Sequence, residues 1–256
     1  MAPPGHTPPI RTVIGHQDME WCNPIGWEGM GELHDAMHLR RGARILDLAC
    51  GKGALLTRLV DWTPDARGVG VDRLAPFIED ARRLARTEGV EDRVTFEVAD
   101  VRRWTPGPRA FDVVACVGAR PWGGRIETLT AMAALTRPGG CVVLGEGYWR
   151  QDPAQAYLDT LGCDAGEHVG LAATLESGHT HLDLEWWITC TQEQLDAYER
   201  RYLGNLLAWG RAHPKEPEAS SLVDGARTWR DAHLRWGRDT LGFVIAMWRV
   251  GPPPEP

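Results

Sequence analysis

The 256-residue sequence has no apolar run long enough to span a bilayer, and its Pro-rich start does not read as a signal peptide, so no membrane partner is expected. Basic residues are not in excess either. Lys and Arg number 28 against 35 Asp and Glu, a net charge of −7, which argues against a duplex nucleic-acid partner because phosphate binding normally needs a basic face. That balance does not exclude a small acidic substrate. Paired cysteines are missing too: Cys22, Cys50, Cys116, Cys141, Cys163 and Cys190 lie far apart with no C-x-x-C among them. Several fall inside expected strands and read as buried reduced thiols of a cytoplasmic protein. Phe and Tyr are scarce, four of each, whereas Trp is abundant at twelve. There is no internal repeat. Low complexity is confined to the Pro-rich ends, residues 1–9 and 251–256, which are expected to be loosely held. The length allows one substantial core and a lid without help from disulfides or metal.

What is present is organised around residues 44–53, RILDLACGKG. Ile45, Leu46 and Leu48 read as a buried parallel strand, and Ala54, Leu55 and Leu56 open a helix after a glycine turn. Gly51 and Gly53 let the backbone approach a ligand at the strand's carboxyl end, beside a helix N-terminus. Asp47 then decides between ligands. A carboxylate at the mouth of the loop repels a pyrophosphate and welcomes an ammonium group. The loop therefore suits a nucleoside carrying an amino acid, for which S-adenosylmethionine (SAM) is the obvious candidate, rather than NAD.

The chain around this stretch alternates. Residues 12–29 read as irregular and 28–39 as a helix with Met30, Leu33 and Met37 on one face. Further strands are expected over 67–71, closed by Asp72, over 94–98, closed by Asp100, and over 111–117 and 141–145, with helices over 54–62, 76–88 and 126–135 between them. A turn is expected at Pro138-Gly139-Gly140. This rhythm predicts a doubly wound parallel sheet with ligands at the strands' carboxyl ends. It then changes to a helix over 152–161, a long strand over 182–189, helices over 192–212 and 219–236 broken by Pro214 and Pro217, and a last strand over 242–250. The expected organisation is an N-terminal segment and helix over 1–40 covering the cofactor site, a Rossmann-like core over 41–190, a helical lid over 191–238, and a last core strand with a Pro-rich tail over 239–256. Tyr198, Tyr202, Leu206, Trp209, Trp229 and Trp236 are too numerous for a solvated appendage, so the lid is expected to pack over the cofactor face. A peripheral helical pair is the alternative.

Taken together these residues resemble the class I, seven-stranded SAM-dependent methyltransferases. The matching pieces are ILDLACGKG, GVGVD, EVAD, FDVVACVGA and RPGGCVVLGE, within residues 44–147. The chain is similar further to a bacterial subgroup carrying Asn-Pro (Asn23-Pro24), G-x-x-x-x-G-G (118–124), GEGYWR (145–150) and an RWGRDTLGF-like segment (235–243). The resemblance implies an α/β Rossmann-like fold with seven strands and a helical insertion between the last two. It also implies roles. Asp47, Ala49, Cys50, Gly51 and Gly53 would surround the methionine end of SAM. Asp72, with Arg73 beside it, would accept hydrogen bonds from both ribose hydroxyls. Asp100 would meet the adenine amino group and Val101 offer a backbone N–H, while Cys116 and Val117 would line the methionine portion. The product would be S-adenosylhomocysteine (SAH), with no metal required. Three departures stand out: Ala49 where many relatives have glycine, Cys22 where the subgroup usually has histidine, and Arg120-Pro121 in the loop after the fourth strand. Read singly, Asp72 serves equally well as a helix cap and Asp100 carries no signal. In register with Asp47 the two reinforce the SAM reading.

His34 and His38 stand four apart on one helix face, a spacing metals use, but no third ligand is near and no metal is expected. His179 and His181 share a strand face and read as a structural pair or an exposed edge. Trp186 and Trp187 fall on opposite faces of their strand, one in the core and one at its rim. No Asn/Asp-Pro-Pro-Tyr/Phe tetrad follows the fourth strand, the device with which the class methylates exocyclic amines of nucleic-acid bases. With the acidic balance this favours a small-molecule acceptor. The acceptor pocket is expected from the loops after strands four and five, bringing Trp122, Tyr148 and Trp149, with Trp21 and Asn23 closing the remaining side. Glu146 would orient an amine or act as a base, and His38 is a second candidate base. Alternatively the tryptophans fill the core and Glu146 caps a helix or joins a salt bridge. The function expected is methyl transfer from SAM to O, N or S of a small molecule. The rivals are a nucleic-acid or protein methyltransferase and a catalytically silent SAM-binding protein.

Overall fold

In the computed structural model, which describes residues 9–106, 110–176 and 181–252, strands and helices alternate as the hydrophobic pattern dictates. The order is α1 (Pro9–Gly15), α2 (Met30–Met37), β1 (Arg44–Leu48), α3 (Ala54–Trp62), β2 (Arg67–Asp72), α4 (Ala75–Thr87), β3 (Val94–Val98), β4 (Phe111–Val117), α5 (Arg125–Leu135) and β5 (Thr136–Trp149). Then follow α6 (Gln155–Leu161), α7 (Leu171–Leu175), β6 (Leu182–Thr189), α8 (Gln192–Ala212), α9 (Ala219–Ala232), α10 (Arg238–Thr240) and β7 (Leu241–Val250). His179 lies outside the described residues.

The strands form one seven-stranded sheet in the order β3-β2-β1-β4-β5-β7-β6, the doubly wound, Rossmann-like arrangement expected, with α8 and α9 inserted between the last two strands of the sequence. β1 pairs in parallel with β2 and β4, and its last four residues are buried, as a strand covered on both faces by crossover helices must be. Backbone N–H groups of Gly251 and Cys190 donate to the carbonyls of His181 and Phe243, joining opposite ends of β6 and β7, so these two run antiparallel.

The chain groups into two compact units. One comprises residues 26–146, 175–188 and those from 244 onward. Its core gathers Leu46, Leu48, Val114, Val142, Leu144, Ala246 and Trp248 about the sheet. The other comprises residues through 25, 147–174 and 189–243. There α8 opens with a reciprocal capping box, the Thr191 hydroxyl accepting from Gln194 N–H while the Gln194 side chain accepts from Thr191 N–H. Tyr157, Tyr198, Tyr202, Leu206 and Trp229 are buried together in that unit, with Trp209 and Trp236 packed against them, so the aromatic excess of the late helices makes a core of its own. These groupings do not follow boundaries at 40, 190 and 238: residues through 25 belong with the late helices, whereas α2 belongs with the sheet.

Three local expectations are corrected. Residues 9–15 form a helix inside the stretch read as loosely held and then irregular. It is held from a distance: a Cβ at Gly15 would lie 2.1 Å from the Tyr202 ring, and His16 Nε2 is 2.9 Å from the Tyr198 hydroxyl. Pro138-Gly139-Gly140 is not a turn between elements but part of β5, accommodated by a register shift opposite residues 111–113. The last late helix stops at Ala232 and continues as a π-turn, His233–Gly237, a spacing that no sequence period signals.

Candidate functional site

β1 delivers Asp47 to the centre of the sheet, opposite Gly70 of β2 and Ala115 of β4. Beyond Leu48 the chain turns through three left-handed residues, Ala49 (φ 55), Gly51 (φ 54) and Gly53 (φ 74), before α3 begins. Gly53 is required on a second count. A Cβ there would sit 2.6 Å from the Phe96 ring and 2.8 Å from Ala81 Cβ, so the turn lies against β3 and α4 with no room for a side chain. Asp72, at the end of β2, accepts from Gly51 N–H at 3.0 Å through one oxygen and from Leu74 N–H at 2.8 Å through the other. It thereby ties the glycine turn to the neighbouring strand. Each carboxylate oxygen keeps a further lone pair for a hydroxyl.

The electrostatics are concentrated at these strand ends. Burial, and then the nearby Asp72, push the Asp47 carboxyl up to about 8. Burial also raises Asp72, against the opposing pull of the Leu74 and Gly51 N–H groups. Cys116, buried in β4, has its thiol pushed far up by burial and then by the charges of Asp47, Asp72 and Glu146. Its Sγ donates to the Ala119 carbonyl at 3.3 Å, which closes the first turn of the loop after β4. Val117 is half-buried beside it, and Cys50 is half-buried with its N–H donated to the Val71 carbonyl. A strand end with two buried acids beside a tight glycine turn fits a ligand that carries ammonium and sulfonium charges.

The periphery is less enclosed. Asp100 follows β3 at the surface, where hydrogen bonds from the Arg102 side chain lower its carboxyl to about 2. Val101 beside it is buried, and Arg73 is exposed next to Asp72. Lys52, within the glycine turn, is buried against Asp80 at 3.1 Å.

Glu146, near the carboxyl end of β5, is only 6% exposed. Arg120 Nη1 lies 3.6 Å from its Oε2 and Arg125 Nε 3.7 Å from its Oε1. Two guanidinium groups thus flank this carboxylate. Sequence reasoning singles out Arg120 as a departure from the subgroup but misses Arg125, because nothing marks the first residue of a helix as facing a strand end. Trp122, half-buried in the same loop, packs against the sheet core.

Elsewhere the expected acceptor residues are committed to their own surroundings. Trp149 is 7% exposed, its indole N–H donating to the Ala165 carbonyl at 2.8 Å and its ring edge-on to His168. Tyr148 is buried against Gly242, where a Cβ would stand 2.4 Å from the ring. Asn23 forms a local turn by accepting from Ile25 N–H at 3.0 Å, and Trp21 is half-buried in that segment.

His38 is a correction. It closes α2 in a left-handed conformation and lines a cleft of about 570 Å³ with Asp112, Arg137 and Gly140, at the amino-terminal edge of the sheet. There Asp112 accepts from the N–H of Arg44, the first residue of β1. The five residues of β1, at about 3.3 Å each, put roughly 13 Å between that edge and the acids. The cause is topological: a helix joined to the next strand by a short loop must end at that strand's amino end. His38 therefore has no part in chemistry at the carboxyl ends. His34 bonds the Thr63 hydroxyl at 3.0 Å, and no group of three or more potential metal ligands occurs among the described residues.

The family of methyltransferase domains matches residues 45–140, the span from β1 into β5. The Escherichia coli protein YjhP is 28% identical over 91% of this chain and 95% of its own length. A crystallised SAM-dependent methyltransferase from Geobacter sulfurreducens, in complex with SAH, superimposes with a TM-score of 0.87 at 28% identity, over 95% of this chain and 98% of that one. Trans-aconitate 2-methyltransferase of Streptomyces avermitilis is 28% identical over 64% of this chain and 62% of its own length.

Proposed function

Because the chain belongs to the class I SAM-dependent methyltransferases, we propose that it carries a methyl group to an oxygen, nitrogen or sulfur atom of a small-molecule acceptor. SAM, when bound, supplies a methyl group on a positively charged sulfur, which makes it ready for displacement and leaves SAH. The observation that carries this reading is the buried Asp47 at the end of β1 beside Asp72, which accepts from Gly51 N–H and so holds a turn with no room for a side chain at Gly53.

In this reading Asp47 holds the ammonium of the amino-acid moiety, and Asp72 accepts the ribose hydroxyls through the lone pairs that Gly51 and Leu74 leave open. Asp100 and Val101 face the adenine. Ala49, Cys50, Gly51, Gly53, Cys116 and Val117 line the methionine portion, with Arg73 at the rim. The main task of these residues is alignment, which can supply on the order of 7–11 kcal/mol of a transfer barrier. A small acceptor is supported by the chain's acidic balance, by the missing base-methylating tetrad, and by the relative whose name gives aconitate as its substrate.

Calorimetry with SAH tests the cofactor half: Asp72→Ala should lose roughly 1–3 kcal/mol of binding, the scale of hydrogen bonds to a charged group. Release of SAH from SAM with fractionated small metabolites tests the acceptor half. Turnover only with polypeptide or nucleic acid overturns it.

A further inference from the structure

Charged side chains also gather around open space at the amino-terminal edge of the sheet. The cleft there encloses about 570 Å³, within the size range of small-molecule sites, and all its lining residues belong to the sheet unit. Its ionisable walls are His38 and Arg40 after α2, Asp112 of β4, Arg137 of β5, Glu185 of β6 and Arg249 of β7. Two of the arginines have acids of their own. Arg249 donates to Glu185 from Nε and Nη2 at 2.9 and 2.6 Å, and Arg137 pairs with Asp112 through Nη2. Arg40 is left over. It is exposed, and no carboxylate among the described residues stands in ion-pair range of it. His38, two residues before, is exposed as well, and its ring bonds no group among the described residues. The carbonyls that end a helix would normally repel an anion. Arg249 offsets that repulsion by donating to the Ala36 and Met37 carbonyls at 2.9 and 3.2 Å.

We propose that this cleft binds a phosphate group, held by Arg40 from the loop after α2 and by Arg137 from the start of β5, with His38 as a third donor. Three donor side chains match the three terminal oxygens of a phosphate, where a carboxylate offers two. Arg137 can serve both Asp112 and the ligand, since a guanidinium carries five N–H groups. The volume leaves room beside the phosphate for the organic body of an ester, against Leu39 and Pro138. The length of β1 puts roughly 13 Å between this edge and the acids Asp47 and Asp72, so ligand and SAH bind at the same time.

The test is calorimetry on the full-length protein, with and without saturating SAH. The probes are ribose 5-phosphate, glucose 6-phosphate, their parent sugars, succinate and inorganic phosphate. The phosphate probes should bind at least tenfold more tightly than the sugars and succinate, whether or not SAH is present. Arg40→Gln should weaken them tenfold or more and Arg40→Lys less, with SAH affinity held within twofold in both. Arg137→Gln should weaken them similarly. If that variant fails to fold without its pairing to Asp112, Arg40→Gln decides, because an exposed side chain with no partner contributes little to stability. Phosphate probes bound no better than sugars, bound equally by Arg40→Gln, or bound less tightly than succinate overturn the proposal. Displacement of the phosphate probes by SAH puts them in the cofactor site and overturns it too. An ester preferred over inorganic phosphate identifies an organic phosphate as the ligand, and equal binding identifies the free ion; either supports the phosphate site.

Discussion

The proposed contact between Asp47 and the cofactor's ammonium predicts a pH dependence of binding. The Asp47 carboxyl is buried in β1 beside Asp72 and pushed up to about 8, so at pH 7 the ligand-free protein holds it mostly protonated. An ammonium ligand binds the ionised form. Binding must therefore release a proton, and affinity must rise with pH until the carboxyl is ionised without help. With a single group at that value, SAH affinity should increase roughly fiftyfold between pH 6 and pH 8, about 2 kcal/mol, and flatten above. Calorimetry at pH 7 in buffers of different ionisation enthalpy should report close to one proton released. Asp47→Asn should abolish both the release and the slope while weakening binding at pH 8.

The same group acts on folding with a defined sign. Its native value lies above the unfolded one near 3.9, so the native state holds the proton more tightly. The stabilisation is complete below pH 4 and declines as pH rises through 8, a change on the order of 5 kcal/mol for a shift of this size. SAH should offset the loss at high pH. An affinity that is flat from pH 6 to 8, with no proton released, refutes the contact between Asp47 and the ammonium.

Other consequences can be checked more briefly. Gly53→Ala places a Cβ against Phe96 and Ala81 at a left-handed φ, so denaturant unfolding should show a loss of about 2–4 kcal/mol, and residual folded protein should bind SAH poorly. Ala49→Gly removes a left-handed strain of about 1–2 kcal/mol but adds unfolded-state entropy, so the thermal midpoint should hold or rise slightly, and a clear fall contradicts the strain. In the other unit, burial alone would raise Asp196, but hydrogen bonds from Arg238, His233 and Gln192 bring it down to about 2. Its stabilisation is present above the unfolded value near 4 and lost as pH falls toward 2. Asp196→Asn should flatten the thermal midpoint over that acid window.

The positions of the acids were legible because each rides on a strand end. Alternating apolar runs fix where β1, β2, β3 and β4 stop, and a doubly wound order brings those stops to one edge, so Asp47, Asp72 and Asp100 can be placed by counting. The glycine turn reads for the same reason, its left-handed residues being the ones a side chain would strain. His38 was misplaced because a motif spacing was weighed without the connection: the loop from α2 into β1 fixes the opposite edge. Trp149 carries no mark of its fate, since indoles at a strand end serve a core and a pocket equally well. Its bond to the Ala165 carbonyl depends on a fold-back of the chain that no local period encodes.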